Sequence, residues 1–116
     1  MDHDGQPRRP PDRRADLFGG VGEVRVWNLL GALAAPPFTA VLACELEAGG
    51  RVGRHRQLEF PEIIVGMAGV GEAQVGEIRH PLGVGDVVYL PLGEVLELRN
   101  LSAEAALHYL IIKARA

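Results

Sequence analysis

The side chains of this chain that could do chemistry lie close together in one short stretch. His55, Gln57 and Glu62 follow one another within residues 55–62. An imidazole can take up or release a proton near neutral pH, and a nearby carboxylate can orient it and stabilise its charged form. Imidazole and carboxylate groups are also common ligands of first-row transition metals. The stretch therefore indicates acid–base catalysis by His55 and Glu62, or metal binding by all three residues.

Two spacing patterns surround these residues and extend beyond them. The first, GGRVGRHRQLEFPEIIVGMAG, covers residues 49–69 and contains the three side chains named above. The second, GDVVYLPLGEVLELRN, covers residues 85–100 and contains Leu96. Both patterns resemble the two motifs of the cupin superfamily, whose four ligand positions carry His, His, Glu and His. The resemblance to small single-domain cupins of the conserved-barrel type implies an all-β, jelly-roll (double-stranded β-helix) barrel over residues 17–116.

The metal site that the resemblance implies is only partly retained. His55 and Glu62 match the family's ligands by position, whereas Gln57 and Leu96 stand where the family has histidines. An amide oxygen is a weaker donor to such metals than an imidazole, and a leucine offers no donor. One hypothesis is a divalent transition metal on His55, Gln57 and Glu62, with His108 or water as a further ligand. Which cofactor, if any, is bound stays open.

Two other hypotheses need no metal. In one of them, His55 and Glu62 form a buried pair in which the imidazole and the carboxylate satisfy each other's hydrogen bonds without catalytic use. In the other, they act on a ligand as an acid–base pair, as in cupins that resemble sugar epimerases, and Glu62 raises the pKa of His55. Whether the protein is an enzyme, such as an oxygenase or isomerase, is therefore left open.

Apolar side chains are expected to line the barrel around these groups. Successive side chains of a strand point to opposite faces, and in the run 38–47 the charges of Glu45 and Glu47 fall on one face. The residues between them face the core, and the run 95–100 behaves in the same way. We predict a pocket for a small apolar or aromatic molecule, lined by Leu42, Cys44, Gln57, Met67, Tyr89, Leu96, Leu98 and His108.

The last predicted strand, 106–113, carries a single charged residue that could set its orientation. An outward Lys113 turns inward His108, Leu110 and Ile112. The outer face then carries Leu107, Tyr109 and Ile111. These apolar side chains support the homodimer that the family resemblance implies.

Short β-rich runs separated by Gly and Pro indicate an all-β chain without long helices. The predicted strands are 23–29, 38–47, 56–60, 63–68, 71–75, 78–81, 86–90, 95–100 and 106–113. Residues 1–16 contain three prolines, balanced charges and little apolar content, which is typical of a flexible tail. The strands therefore carry the whole barrel, and the tail is expected to contribute nothing to it.

Composition narrows the function classes. The chain has 116 residues, of which 47% are hydrophobic, and a net charge of −3, so we expect one domain and no nucleic-acid partner. No apolar run approaches the roughly 20 residues of a membrane helix, and the N-terminus lacks the features of a secretory signal. We expect a cytoplasmic protein without a membrane partner. Its barrel binds a small molecule or serves as a scaffold, and the alternative is a cupin enzyme.

Overall fold

Ten β-strands and one short 3₁₀ turn make up the described part of the chain. The computed structural model describes residues 10–116. The strands are β1 Asp12–Ala15, β2 Glu23–Asn28, β3 Phe38–Leu46, β4 Arg51–Arg56, β5 Glu62–Ala68, β6 Val70–Val75, β7 Ile78–Gly83, β8 Val87–Leu90, β9 Val95–Asn100 and β10 Leu107–Ala114, and the turn is Leu17–Gly19. The predicted all-β class is confirmed. Over this range no helix is long and apolar enough to cross a membrane.

The strands form two antiparallel sheets that pack face to face. The larger sheet has the order β1-β2-β3-β10-β5-β8, and the smaller has the order β4-β9-β6-β7. One apolar cluster joins the two inner faces, and its fully buried members include Leu46, Ile64, Leu82, Leu96 and Leu107. Because side chains alternate along each strand, every second residue contributes to the barrel interior.

Strand β10 lies in the middle of the larger sheet, between β3 and β5. Its register pairs Tyr109 with Cys44, and it pairs Lys113 with Glu62. Directly paired residues of neighbouring strands share a face of the sheet. Lys113 therefore lies on the same inner face as Glu62.

The predicted orientation of this last strand is wrong. Leu107 and Tyr109 are buried in the core, whereas His108 lies on the outer face, where its Nδ1 is 3.7 Å from Oε2 of Glu45. A lysine near a strand end usually reaches water, but here Glu62 on the neighbouring strand supplies an inward partner for Lys113. The apolar residues that were expected outside are inside, so the homodimer stays a prediction that rests on the family resemblance.

One predicted strand, 56–60, is misplaced. Strand β4 ends at Arg56, and the residues after it form a loop tied to the turn before β9, because the backbone N–H of Gln57 donates to Glu94 and that of Gly93 donates to Gln57. Gly53 lies within β4, where it obscures the strand pattern. A Cβ at Gly53 would collide with the carbonyl oxygen of Phe18, so the glycine lets the 3₁₀ turn cross the strand closely.

The tail predicted over residues 1–16 differs from the structure at its C-terminal end. Strand β1 pairs with β2 over four residues, and Nη1 of Arg13 lies 2.9 Å from Oε1 of Glu23. All four residues of β1 are exposed, so backbone pairing rather than apolar burial holds the strand. Apolar content could not have predicted this strand. Residues 1–9 lie outside the described range.

Candidate functional site

A cavity of about 420 Å³ lies inside the barrel. Both sheets contribute apolar side chains to its wall, among them Leu42, Val52, Leu96, Leu98 and Ile111. Phe18 and Leu58 also line the cavity, and both are more than half exposed, so the cavity reaches the surface between them. A space of this size with mostly apolar walls is typical of small-molecule sites.

Two polar side chains of the cavity wall contact the carboxylate of Glu62. Nε2 of Gln57 donates a hydrogen bond of 2.7 Å to Oε2 of Glu62. Nζ of Lys113 lies 3.8 Å from the same oxygen. The side chain of Glu62 is 3% exposed and that of Lys113 is 26% exposed. The carboxylate is thus held between an amide and an ammonium group, inside an otherwise apolar barrel.

A second hydrogen bond sets the orientation of Gln57. The backbone N–H of Glu59 donates to Oε1 of Gln57 at 3.1 Å. The loop after β4 therefore takes up the amide oxygen, while the amide NH₂ points to Glu62. Gln57 presents a hydrogen-bond donor to the carboxylate, and its amide oxygen, the atom able to bind a metal, is turned to the backbone of the loop.

His55 belongs to a different set of contacts. Its Nδ1 lies 2.9 Å from the carbonyl oxygen of Gly53, and its ring stacks on Phe18 with centroids 3.9 Å apart. A carbonyl oxygen only accepts, so Nδ1 carries the proton and Nε2 is left as the second polar atom of the ring. Among the residues of the structure's described range, no hydrogen bond joins His55 to Glu62. The mutual pair assumed in two of the sequence-based hypotheses is therefore not formed.

Burial sets the protonation of the groups around Glu62. It raises the pKa of the Glu62 carboxyl, although the Lys113 ammonium and the Gln57 amide act in the opposite direction. Burial, assisted by the charge of Glu62, raises the pKa of the Cys44 thiol to about 12. The pKa of Tyr109, which shares a hydrogen bond with Cys44, is also raised by burial. A thiol with so high a pKa stays protonated near neutral pH, which argues against a nucleophilic role for Cys44.

The residues present do not fit the metal that the family resemblance implies. Leu96 pairs with His55 across β4 and β9 and offers no donor atom. The amide oxygen of Gln57 is turned to the backbone of Glu59 and away from Glu62, and the carboxylate of Glu62 has an ammonium beside it. Within residues 10–116, no group of three or more His, Cys, Asp or Glu side chains could hold a metal ion. One imidazole with an unengaged nitrogen falls well short of the usual donor set.

The structure brings together most of the residues that the sequence proposed for the site. The cavity wall includes His55, Gln57, Glu62, Leu42, Cys44, Leu96 and Leu98. Three proposed pocket residues lie on the outer face of the larger sheet instead. Met67 and Tyr89 are 51% and 61% exposed, and His108 is partly exposed. The reason is parity, because Glu62 and Ile64 face inward and so turn Met67 outward.

Several wall residues were not found from the sequence. Tyr109, Ile111 and Lys113 line the cavity because of the inverted orientation of β10, and the turn at Leu17 and Phe18 closes one side. The sequence did contain a pattern that indicates the orientation of β10. Positions 107, 109 and 111 are apolar and share a face with Lys113, so an inward lysine would have placed the whole set correctly.

Comparison with protein-family models gives no match, and neither does comparison with curated protein sequences. Solved structures do match. A protein of Thermotoga maritima called a predicted oxalate decarboxylase is 25% identical, with a TM-score of 0.85 over 94% of this chain and 95% of that one. A cupin 2 conserved barrel domain protein of Salinispora arenicola is 28% identical, with a TM-score of 0.67 over 93% and 88%. A sugar phosphate isomerase from a cupin superfamily, of Silicibacter pomeroyi, is 21% identical, with a TM-score of 0.71 over 100% and 75%. The jelly-roll fold is confirmed.

Proposed function

Since the chain belongs to the cupin superfamily but lacks a metal-binding donor set in its described part, we propose that its barrel binds a small, mainly apolar molecule without a resident metal ion. The observation that carries this proposal is the cavity of about 420 Å³, which reaches the surface and has a largely apolar wall. Gln57 and Lys113 converge on Glu62 within this wall. A few convergent polar groups in an apolar pocket are the usual arrangement for orienting a small ligand.

The apolar wall alone supports only weak binding. A small ligand that buries about 200 Å² of apolar surface gains about 5 kcal/mol at roughly 25 cal/mol per Å². Lost translational and rotational freedom costs at least about 4 kcal/mol. The polar groups beside Glu62 must therefore supply most of the net affinity and all of the orientation.

The structural relatives do not select one activity. One is called a predicted oxalate decarboxylase and another a sugar phosphate isomerase, and a shared barrel does not carry either reaction to this chain. A second candidate function is metal-free isomerisation, in which Glu62 moves a proton on the bound molecule. The raised pKa of Glu62 and its position on the cavity wall favour it, because a carboxyl with a raised pKa is a better proton donor and acceptor near neutral pH.

Cavity filling tests the proposal. A panel of small aromatic and aliphatic compounds should raise the melting temperature of the parent protein, while Leu42→Trp, which fills the cavity, should abolish the shifts. Val87→Trp is the matched control, since Val87 is 62% exposed on the outer face of the larger sheet. Should Leu42→Trp fail to fold, Ile111→Phe reduces the same space. Equal shifts in the parent and the filled variant would refute a site in the barrel, as would a panel without a single binder.

A further inference from the structure

Lys113 has hydrogen-bonding capacity that the described residues leave unused. Its ammonium group has three N–H donors. The partner oxygen on Glu62 is 3.8 Å away, which is beyond the range of a direct hydrogen bond. No other ion pair or side-chain hydrogen bond of Lys113 occurs between residues 10 and 116. A cation with free donors, three-quarters buried on the wall of an apolar cavity, is suited to binding a negatively charged oxygen.

The surroundings of Lys113 define the rest of the ligand. Along β10 the next inward residue is Ile111, which pairs with Leu42 on β3, and both line the cavity. An anionic group at Lys113 would therefore continue directly into an apolar body packed on this wall. Resting on the small-molecule site proposed above, we infer that the ligand is a small monocarboxylate whose carboxylate binds Lys113 and whose apolar body fills the barrel.

Other ligand classes fit the same wall less well. Lys113 and Arg56 both line the cavity, so a cationic head group meets positive charge. Glu59 and Glu62 offset these two charges. Protonation of Glu62 would leave one excess positive charge, which balances a monoanion but not a doubly charged phosphate. A sugar needs a polar partner for most of its hydroxyls, and the wall is mostly apolar. One negative charge on an apolar body matches the wall.

Binding a carboxylate next to Glu62 requires a proton. Two carboxylates that share one site do not both stay ionised, and one of them takes up a proton. Glu62 is the acceptor, because its burial already favours the neutral carboxyl. The titratable side chains that share the cavity wall with it are Lys113 and Tyr109 from β10, Cys44 from β3, and His55, Arg56 and Glu59 from β4 and the loop after it. Burial raises the pKa of both Tyr109 and Cys44, so these two groups are already protonated and cannot take up the proton.

Calorimetry with matched compounds tests the inference. The probes are hexanoate, phenylacetate and 3-phenylpropanoate, each compared with its neutral amide. The parent should prefer each carboxylate at least about tenfold, and Lys113→Met should lose that preference while still binding the amides. Arg79→Met is the control, since Arg79 carries the same charge but does not line the cavity and its side chain is 65% exposed. It should keep the preference.

Proton linkage provides a second readout. Titrations in buffers of different ionisation enthalpy should show uptake of up to one proton with the carboxylates and none with the amides. Glu62→Gln should still bind the carboxylates but without proton uptake, whereas His55→Gln should leave the uptake unchanged. Uptake that persists in Glu62→Gln would overturn the inference, and so would equal affinity of the parent for carboxylate and amide.

These outcomes separate the inference from the function on which it rests. Amide binding that Leu42→Trp abolishes, without a carboxylate preference in the parent, contradicts the monocarboxylate and keeps the small-molecule site. Absence of binding by every probe, together with an unresponsive compound panel, contradicts both. If Lys113→Met does not fold, Lys113→Gln makes the same comparison with a polar side chain of similar length.

Discussion

Replacing Lys113 by methionine should destabilise the protein in a manner that depends on pH. The variant removes the ammonium 3.8 Å from Oε2 of Glu62 and keeps a side chain of similar length and apolar stem. At an effective dielectric constant of about 20, two unit charges at this distance attract each other by about 4 kcal/mol. Part of that attraction is offset, because Lys113 itself no longer has to be desolvated in the variant. We expect a net loss of about 2 kcal/mol in the free energy of unfolding at pH 8.

The loss should shrink in acid. The folded-state pKa of Glu62 lies above its unfolded value, so its contribution to stability is fully present below the unfolded pKa and is lost as the pH rises through the folded pKa. Without Lys113 that folded pKa rises further, because one of the two groups that lower it is gone. Glu62 can then take up a proton instead of remaining a buried, poorly compensated charge. At pH 5 the variant should therefore lose less than about 1 kcal/mol.

Urea denaturation followed by the fluorescence of Trp27 measures both values, at pH 5 and at pH 8. The matched control is Lys113→Met combined with Glu62→Gln, which removes the charge that the single variant leaves behind. The double variant should recover most of the stability at pH 8, and its difference from the parent should vary little with pH. A loss of the same size at both pH values would refute the reasoning, as would a double variant no more stable than the single one at pH 8.

Three further predictions concern the metal site, the turn and the N-terminal strand. The double variant Gln57→His, Leu96→His should gain tight divalent-metal binding only when Lys113→Met is added, because the ammonium competes for Glu62. Equilibrium dialysis measures the metal affinity of the double and triple variants, and equal affinities would contradict the competition. Gly53→Ala should lower the free energy of unfolding by about 1 to 3 kcal/mol and displace Phe18 from His55, since the added Cβ meets a backbone oxygen. An unchanged NMR chemical shift of the His55 ring protons would argue against the stacking. Deleting residues 1–16 should lower the melting temperature by several degrees, because β1 pairs with β2, and an unchanged melting temperature would show that the pairing contributes little.

Local charge patterns explain which parts of the site were predictable. On β3 and β9, the charged residues occupy one face, and this indicates that the opposite face is the interior. Leu42, Cys44, Leu96 and Leu98 were placed inward by that argument, and they line the cavity. The turns between strands follow from glycines, several of which have positive φ. Within a strand that carries such a pattern, the sequence contains enough information to orient the side chains.

Where a partner lies far away in the sequence, the local pattern was insufficient. Strand β10 has one charge near its end, and its direction depends on Glu62, which is on another strand. The run around Met67 gave no reliable parity because its charged residue, Glu62, faces inward rather than outward. Strand β1 depends on backbone pairing with β2, which composition does not reveal. These errors share one physical cause. Contacts between strands set the orientation and the extent of these segments, and local hydrophobicity does not reveal such contacts.

The residues at three positions of the cavity support the proposed site without a resident metal. Leu96 removes a donor, and Gln57 turns its amide NH₂ rather than its oxygen toward the carboxylate. Lys113 then supplies the positive charge that a buried Glu62 requires, which in a metal site comes from the ion. Restoring the imidazoles alone leaves an ammonium beside the carboxylate that a metal would have to displace. Glu62 does not reach this ammonium with a direct hydrogen bond, so the N–H donors of Lys113 remain free for a ligand. Lys113 therefore both compensates the charge of Glu62 and binds the proposed ligand.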